Sequence, residues 1–521
     1  IAPRTPMEET LARLFCEVLG LDKVSVGASF FALGGDSIVS IQLVSRAKEA
    51  GVLLTAREVF ERKTVASLAE IAVFSVDADP VHVLEELPGA GIGTMPLTPV
   101  AHWMTQQGED FHRFSQSILL SLPQGVDHDG LLRTLTAVVD RHDALRLSLR
   151  RDDAGEWTLE TGAAGSVDIA GLVEHVEFEA ASFDTELKAA YERAVDSLDP
   201  AAGTVIRFVW FTNTDAASDN PARLLVVIHH LAVDGVSWRI LVPDFSAAWM
   251  QVAAGRNPAL EQTGTSLRRW AHGLLDGAKQ NARRNELDFW RDTLAGSDPV
   301  IGRRSLDERD VVGANAQARV ELSADVTEAL LTAVPGAFHG GVNDGLLAAL
   351  ALALAEWRSN AGTPHGSALV HLEGHGREES VLPGADLSRT VGWFTSMYPV
   401  RIHTDGVDLS DALAGGAAAG SLIKSVKEQI AAIPNRGIGF GSLRYLNRET
   451  ADSLAALPTP QVSFNYLGRV STGDIPEAFR DVAWLPDTDT MELSGTRNDS
   501  MPMRFALDIN AMVGDVDGAQ R

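Results

Sequence analysis

The stretch Leu224-Leu225-Val226-Val227-Ile228 constrains this chain more than any other. Apolar and rich in β-branched residues, it reads as a strand, and the lack of polar alternation makes it a buried one. It runs into His229-His230-Leu231-Ala232-Val233-Asp234-Gly235. A strand end that turns through a glycine can set an imidazole at the floor of a cleft. Imidazole titrates near neutrality, which suits general acid–base work. A lone buried histidine is more often a hydrogen-bonded core residue, and that alternative weighs more on His229 than on His230. A zinc site is poorly supported, because no Glu lies inside a His-x-x-x-His pattern and no cysteines cluster.

Strands and helices alternate around this run. Val205–Trp210, Ala368–Leu372, Tyr398–Ile402 and Gln461–Tyr466 read as strands, and Leu131–Asp140, Leu241–Ala253 and Asn343–Trp357 as helices. The class is α/β or α+β, with sheet order open. The part beyond Pro96 is too long for one ordinary domain, so two lobes are expected. The polar stretch from Gly296 to Asp310 suggests lobes over 96–300 and 301–521.

Residues 1–75 read differently. Leu11, Leu14, Phe15 and Val18 recur at helical spacing, and Ile38, Ile41, Leu43 and Val44 line a second helix. Val59-Phe60 and Val65-Leu68-Ile71 suggest two short closing helices, which together make a four-helix bundle. Residues 76–95, with Asp77, Asp79, Pro80 and Pro88, have the composition of a mobile linker. In Leu33-Gly34-Gly35-Asp36-Ser37-Ile38 the glycines allow a tight turn, and Ser37 stands at a helix N-terminus. Free N–H groups and the helix dipole favour a phosphate there. The plainer alternative is that Asp36 or Ser37 is an N-cap.

The net charge is −26 and no basic stripe is present, which argues against nucleic acid and against an anionic membrane surface. No apolar run reaches membrane-spanning length and no signal peptide is seen. The single cysteine, Cys16, sits in an apolar run as a small core residue; without a partner in the chain it fits a reducing cytoplasm. The chain opens at Ile1 in linker-like sequence, as a piece of a longer polypeptide would.

Ala2-Pro3-Arg4-Thr5-Pro6, then Phe30 to Ile38, then Ala50-Gly51-Val52 resemble the peptidyl carrier domain of nonribosomal peptide synthetases. The resemblance implies a 4′-phosphopantetheine arm on Ser37, attached by a phosphopantetheinyl transferase and carrying an aminoacyl or peptidyl thioester. Carriers of this family often have His before the serine; Asp36 resembles carriers that precede epimerization domains. His-His-x-x-x-Asp-Gly resembles the condensation/epimerization superfamily, which implies a catalytic His230 and a mainly structural Asp234. His371 to Glu378, Thr390 to Ser396, Pro434 to Gly441 and Phe464-Asn465-Tyr466-Leu467-Gly468 resemble elements specific to epimerization domains. The implied architecture is a small all-α four-helix carrier bundle followed by an α/β two-lobed chloramphenicol-acetyltransferase-like domain with its site between the lobes. Such domains continue past the Ala506–Asn510 strand with another strand and a helix, for which little chain follows here.

The expected chemistry is inversion at carbon. A thioester acidifies the neighbouring α-carbon, and two groups on opposite faces can remove and return the proton. His230 and Glu373 are the pair, with Tyr466, together with Asn465, donating to the developing oxyanion or relaying a proton. Each has a bland alternative. Glu373 could pair with Arg377, His375 could brace its loop, Tyr466 could fill the core and Asn465 could cap a turn. Trp393 and Phe394 suit packing or a tunnel wall. A condensation domain forming a peptide bond would need His230 but not Glu373, and a non-catalytic docking domain would need neither. The implied partners are the transferase, an upstream adenylation domain and a downstream condensation domain.

Overall fold

The computed structural model describes residues 1–76, 83–214, 221–469, 484–487, 495–516 and 519–520. The first domain is built on helices whose starts are written in the sequence. Thr5 caps α1 (Pro6–Leu19) by accepting from the Glu8 N–H, with Pro6 in the first turn; Gly20, at φ 66°, ends it. Asp36 caps α2 (Ser37–Glu49), Thr55 and Glu58 form a reciprocal capping box on α3 (Ala56–Arg62), and Thr64 caps α4 (Val65–Ala69). Leu11, Leu14, Phe15 and Val18 are all buried, with Phe15 edge-on to Phe30 at 5.0 Å. A short antiparallel pair, β1 (Val52–Leu53) and β2 (Val73–Phe74), clasps the end of the bundle, where the sequence suggested helix alone. Cys16 is half-buried on the flank of this core, not inside it. Burial and the nearby Asp22 and Glu17 push its thiol up, away from the reactive thiolate.

The expected linker is tied down over most of its length. The Leu84 N–H donates to the Gly384 carbonyl at 2.9 Å, and the Glu86 carboxylate accepts from the Ser266 N–H and hydroxyl, both at 2.7 Å. Arg268 donates to the carbonyls of Pro88, Ala90 and Thr94, and Arg269 to that of Glu85. Gly93–Pro96 is itself a strand, β3. Composition suggested mobility because it weighs prolines and acidic residues locally; the arginines that hold them lie about 180 residues away.

The first lobe holds a small sheet in which β3, β5 (Leu147–Arg151) and β6 (Trp157–Thr161) pair in the order β3-β6-β5. Its main sheet contains β4 (Ser115–Ser121), β7 (Val173–Phe178), β8 (Ile206–Asn213) and β9 (Arg223–His229), ordered β4-β9-β8-β7. Strand β9 is buried on both faces. Leu224, Val226 and Ile228 pack toward α5 (His128–Arg141) and α6 (Gly235–Ala253), while Leu225 and Val227 pack toward Phe183–Asp196. That double burial is why the run carries no polar alternation. The helix that Ser266 caps is α7 (Leu267–Gly277).

The second lobe sets four strands, β10 (Ser367–Gly374), β11 (Ser396–His403), β12 (Val462–Arg469) and β15 (Leu507–Val513), in the order β11-β10-β12-β15. Helices α8 (Leu287–Leu294), α9 (Val342–Asn360) and α10 (Ala417–Ala431) supply Trp290, Leu347, Leu354, Leu422 and Val426 to its core. The lobes do not part at residue 300. Trp290 and Leu294 already belong to the second core, while β13 (Leu485–Pro486) and β14 (Gly495–Thr496) return to pair with β4 of the first. The polar stretch near 296–310 is a surface connection, and polarity alone does not mark a lobe boundary. Among the described residues no single helix is long and apolar enough to cross a membrane.

The anchoring of residues 84–94 can be tested with Glu86→Ala. Hydrogen bonds to a charged acceptor are worth about 1.5–3 kcal/mol each, so amide exchange at Leu84 and Ser266 should speed up at least ~10-fold. Exchange in the carrier core should not change.

Candidate active site

Strand β9 delivers two histidines to two fates. His229 is fully buried; its Nε2 donates to the Phe111 carbonyl at 2.8 Å and its Nδ1 accepts from the Leu231 N–H at 3.2 Å. Burial pushes it down to about 3, so it is a satisfied neutral core residue. His230 follows where the chain leaves the sheet, and its ring lies 4.9 Å from Phe114 and 4.3 Å from Trp393. Gln116 fixes its tautomer. The Trp238 indole N–H donates to Gln116 Oε1 at 2.9 Å, which turns the Gln116 amide N–H toward His230 Nε2 at 3.1 Å. Nε2 is therefore the acceptor nitrogen. Burial pushes the imidazole down to about 4, which leaves it neutral with a basic lone pair.

Asp234 does structural work. One oxygen accepts from the Ser237 N–H and hydroxyl, both at 2.8 Å, capping α6, and the other accepts from the Phe394 N–H at 3.1 Å. Arg377 grips both oxygens at 2.7 and 3.2 Å, donates to the Thr390 carbonyl at 3.0 Å and lies over the Phe394 ring. Burial alone would raise the Asp234 carboxyl; the Arg377 charge and the Ser237 bonds outweigh it and hold it below the usual range.

Arg377 is thus committed to Asp234, and the ion pair that offered Glu373 a bland role does not form. Glu373 stands near the end of β10 and accepts from Asn465 Nδ2 at 2.9 Å, across the parallel β10–β12 pair. Burial pushes its carboxyl up to about 7, with Arg497 opposing and Asp508 adding to the rise. His375 Nδ1 accepts from the Arg377 N–H at 3.0 Å and so braces the loop.

Tyr466 is not brought to this group. Asn465 and Tyr466 are neighbours on β12, so they face opposite sides of the sheet. Asn465 faces Glu373, whereas Tyr466 packs with the second core near Leu331, Val342 and Val513. Trp393 and Phe394 are both buried, Trp393 as the wall against His230. Sequence reasoning missed Gln116 and Arg497. Gln116 had a signal, a polar residue entering a strand otherwise bound for the core. Arg497 follows no periodic segment and had none.

The carrier approaches from the β12 side. Asp36 Oδ1 accepts the N–H groups of Ile38 and Val39, both at 2.8 Å. The first-turn N–H groups expected to favour a phosphate are thus partly taken by Asp36, and Ser37 leads the helix as its first residue. A Cβ on Gly35 would lie 2.4 Å from the Phe30 ring, so the turn before Ser37 has no room for a side chain. Asp36 Oδ2 faces Gly468, where a Cβ would come within 2.6 Å of it. Gly468 lies three residues beyond Asn465, so the turn bearing Ser37 abuts the strand that holds Glu373's partner. Asp36 meets the larger domain by close fit against a glycine. Arg436, in the left-handed region at φ 51°, lies 3.9 Å over the Phe60 ring, and Lys63 donates to the His339 carbonyl at 3.1 Å. Lys48 pairs with Asp386.

Comparison with known proteins agrees with this architecture. Residues 92–518 match the condensation-domain family and residues 9–72 match the phosphopantetheine attachment site. The chain therefore belongs to the condensation-domain family, joined to a carrier domain of the nonribosomal peptide synthetase type that takes covalent 4′-phosphopantetheine. It is 38 % identical over 490 residues to a linear gramicidin synthase chain of Brevibacillus parabrevis, covering 92 % of this chain and 9 % of that protein. It is 37 % identical over 522 residues to chondramide synthase cmdD of Chondromyces crocatus, covering 99 % and 12 %. It thus spans about a tenth of the length of these relatives. Among solved structures, the epimerization domain from the third module of tyrocidine synthetase B superposes with a TM-score of 0.69 at 27 % identity, over 84 % of this chain and 91 % of that one. The first condensation domain of the calcium-dependent antibiotic synthetase shares the fold, with a TM-score of 0.56 at 16 % identity over 82 % and 89 %.

Two outcomes follow. Arg377→Met leaves Asp234 buried and uncompensated and should cost about 3–5 kcal/mol in a urea melt, with part of the loss recovered by adding Asp234→Asn. Gly468→Ala sets a Cβ against the Asp36 carboxylate and forces a side chain into φ 77°. Amide exchange at the start of α2 should rise, because the carrier no longer seats.

Proposed function

We propose that this chain epimerizes, from L to D, the α-carbon of an aminoacyl or peptidyl group held as a thioester on phosphopantetheine at Ser37. The observation that carries the reading is Glu373. Its carboxyl faces the interior, pairs with a neutral amide in Asn465, and holds its proton near neutrality. A condensation domain needs only His230 and leaves this carboxyl without a task. The epimerization-type elements around Glu373, Asn435 and Asn465 support the same reading, as does the similarity to the tyrocidine synthetase epimerization domain.

The bound arm supplies a thioester, which makes the adjacent α-hydrogen acidic. His230, neutral and with Nε2 unprotonated, takes that proton as the Gln116 amide N–H gives up its hold on the Nε2 lone pair. Glu373, protonated, delivers its own proton to the opposite face. One turnover leaves an imidazolium and a carboxylate; the imidazolium returns its proton to solvent and the carboxylate regains one. The reverse direction starts from that second proton inventory. The two environments thus divide the roles, with the proton resting on the carboxyl. Asn465 orients Glu373. Gln116 and the aromatic wall of Phe114 and Trp393 orient His230. Tyr466 supports β12 from the core side and takes no proton. In this reading a phosphopantetheinyl transferase charges Ser37 in the cytoplasm. An upstream adenylation domain supplies the residue, and a downstream condensation domain accepts the D product.

The test uses the loaded chain in D₂O without an acceptor, with chiral analysis and mass spectrometry of the released cargo. The expected result is a mixture of L and D in which inverted molecules carry deuterium at Cα. Pure L without deuterium would overturn the reading and favour condensation. His230→Ala and Glu373→Gln should each lose about 10²-fold or more, while Tyr466→Phe should stay within a few-fold. The rate should fall below pH about 4 as His230 gains a proton, and above about 7 as Glu373 loses one.

A further inference from the structure

The segment that returns to the first lobe carries one residue, Arg497, to neighbours of both candidate catalytic groups. Strand β14 adds to the edge of β4, with Gly495 opposite Gln116 and Thr496 opposite Ser115. Gln116 is the residue that orients His230. Immediately after Arg497, Asn498 is buried and pinned: its Oδ1 accepts from the Arg113 N–H at 2.8 Å and its Nδ2 donates to Asp110 at 2.7 Å. Arg497 is therefore fixed at its base from both sides.

Its guanidinium reaches toward both groups. It lies 5.5 Å from the centre of the Phe114 ring, which in turn packs 4.9 Å from His230. On its other side it comes within 3.9 Å of Asp508, on the strand next to β12. Asp508 is in register with Ser463, on the same face of the sheet as Asn465 and Glu373. Both His230 and Glu373 feel the charge, which lowers the proton affinity of each. The contact with Asp508 is too long for a hydrogen bond, and among the described residues no group accepts one from Arg497. The buried arginines of this domain differ. Arg377 and Arg358 are both spent on carboxylates at 2.7 Å, each with its side chain only 2 % exposed. Arg497, by contrast, is exposed, with its side chain 41 % accessible and its donors uncommitted among the described residues.

We propose that Arg497 is a catalytic residue of this site, its guanidinium binding the thioester carbonyl oxygen as negative charge develops there on loss of the α-proton. The role rests on the epimerase reading and supplies what Tyr466 cannot from the far side of the sheet. His230 and Glu373 handle the proton, and neither is placed to neutralise an oxyanion while doing so. A fixed cation with free donors can.

The experiment measures single-turnover deuterium incorporation at Cα in chains verified by mass to be fully loaded with an L-aminoacyl arm. Arg497→Met should slow incorporation about 10²-fold or more, the usual scale for loss of an oxyanion donor, and Arg497→Lys should recover part of the loss through charge. An arginine acting only through its charge on Glu373 would move the pH profile but leave the plateau rate near wild type, whereas an oxyanion donor must lower the plateau as well. Here the groups facing Glu373 are Arg497, Asp508 and Asn465, and those acting on His230 are Asp234, Arg497 and Gln116. Removing Arg497 takes away the cation that favours the Glu373 carboxylate, so the alkaline limb should move to higher pH in Arg497→Met and less in Arg497→Lys. Incorporation within about threefold of wild type in Arg497→Met would overturn the assignment. So would a loss with no shift of the alkaline limb and no recovery in Arg497→Lys. A wild-type chain that incorporates no deuterium would instead remove the epimerase reading beneath it.

Discussion

The buried pair of Asp234 and Arg377 is the joint on which the larger domain hangs. It gathers the turn after β9, the first turn of α6, the loop after β10 and the Thr390–Phe394 segment into one cluster. Two charges withdrawn from water are tolerated because nearly every lone pair and donor is met. The pair is better understood as fixing one arrangement than as adding stability. The arrangement matters because Trp393, the wall against His230, sits one residue before a member of the cluster. Sequence distance is no guide to such a joint, since its two charged members are 143 residues apart.

Around this joint the two lobes impose opposite biases on two proton-carrying groups. The imidazole is pressed between rings, and loss of water disfavours its cation. The carboxyl has an amide for a neighbour, and the same loss of water disfavours its anion. One physical cause, burial, thus favours the neutral form of both groups, pushing the imidazole down to about 4 and the carboxyl up to about 7. Cations placed closer would have spoiled this. Arg377 beside Glu373 would have held the carboxylate ionised, and it is kept away by Asp234.

Much of this was legible in the sequence where periodicity or a short-range signal existed. The caps at Thr5, Asp36 and Thr55 and the stripe from Leu11 to Val18 make the carrier helices readable, and the unbroken apolar run ending at His229 marks a central strand. The motif resemblance singled out His230, Glu373, Asn465 and Asp234, and the structure pairs Glu373 with Asn465 and Asp234 with Arg377. Tyr466 shows where resemblance outran geometry: a period of two along β12 separates it from Asn465. The anchoring of residues 84–94 and the return of β13 and β14 to the first lobe were hidden, because both depend on partners far away in the chain. Gln116 and Arg497 are single polar residues whose meaning appears only when strands from both lobes meet.

The clamped stretch before β3 also sets a leash. From Phe74, at the end of the carrier's clasp, to Leu84, the first described residue beyond it held by the larger domain, the chain takes ten steps. At about 3.3–3.6 Å per residue, their contour cannot exceed roughly 35 Å. A carrier released from Gly468 and Arg436 therefore swings on a short radius about a fixed pivot. The point where the carrier joins its tether must stay inside that sphere, so any more distant site is reached only by the carrier's own width and its arm, or by movement of a whole neighbouring domain.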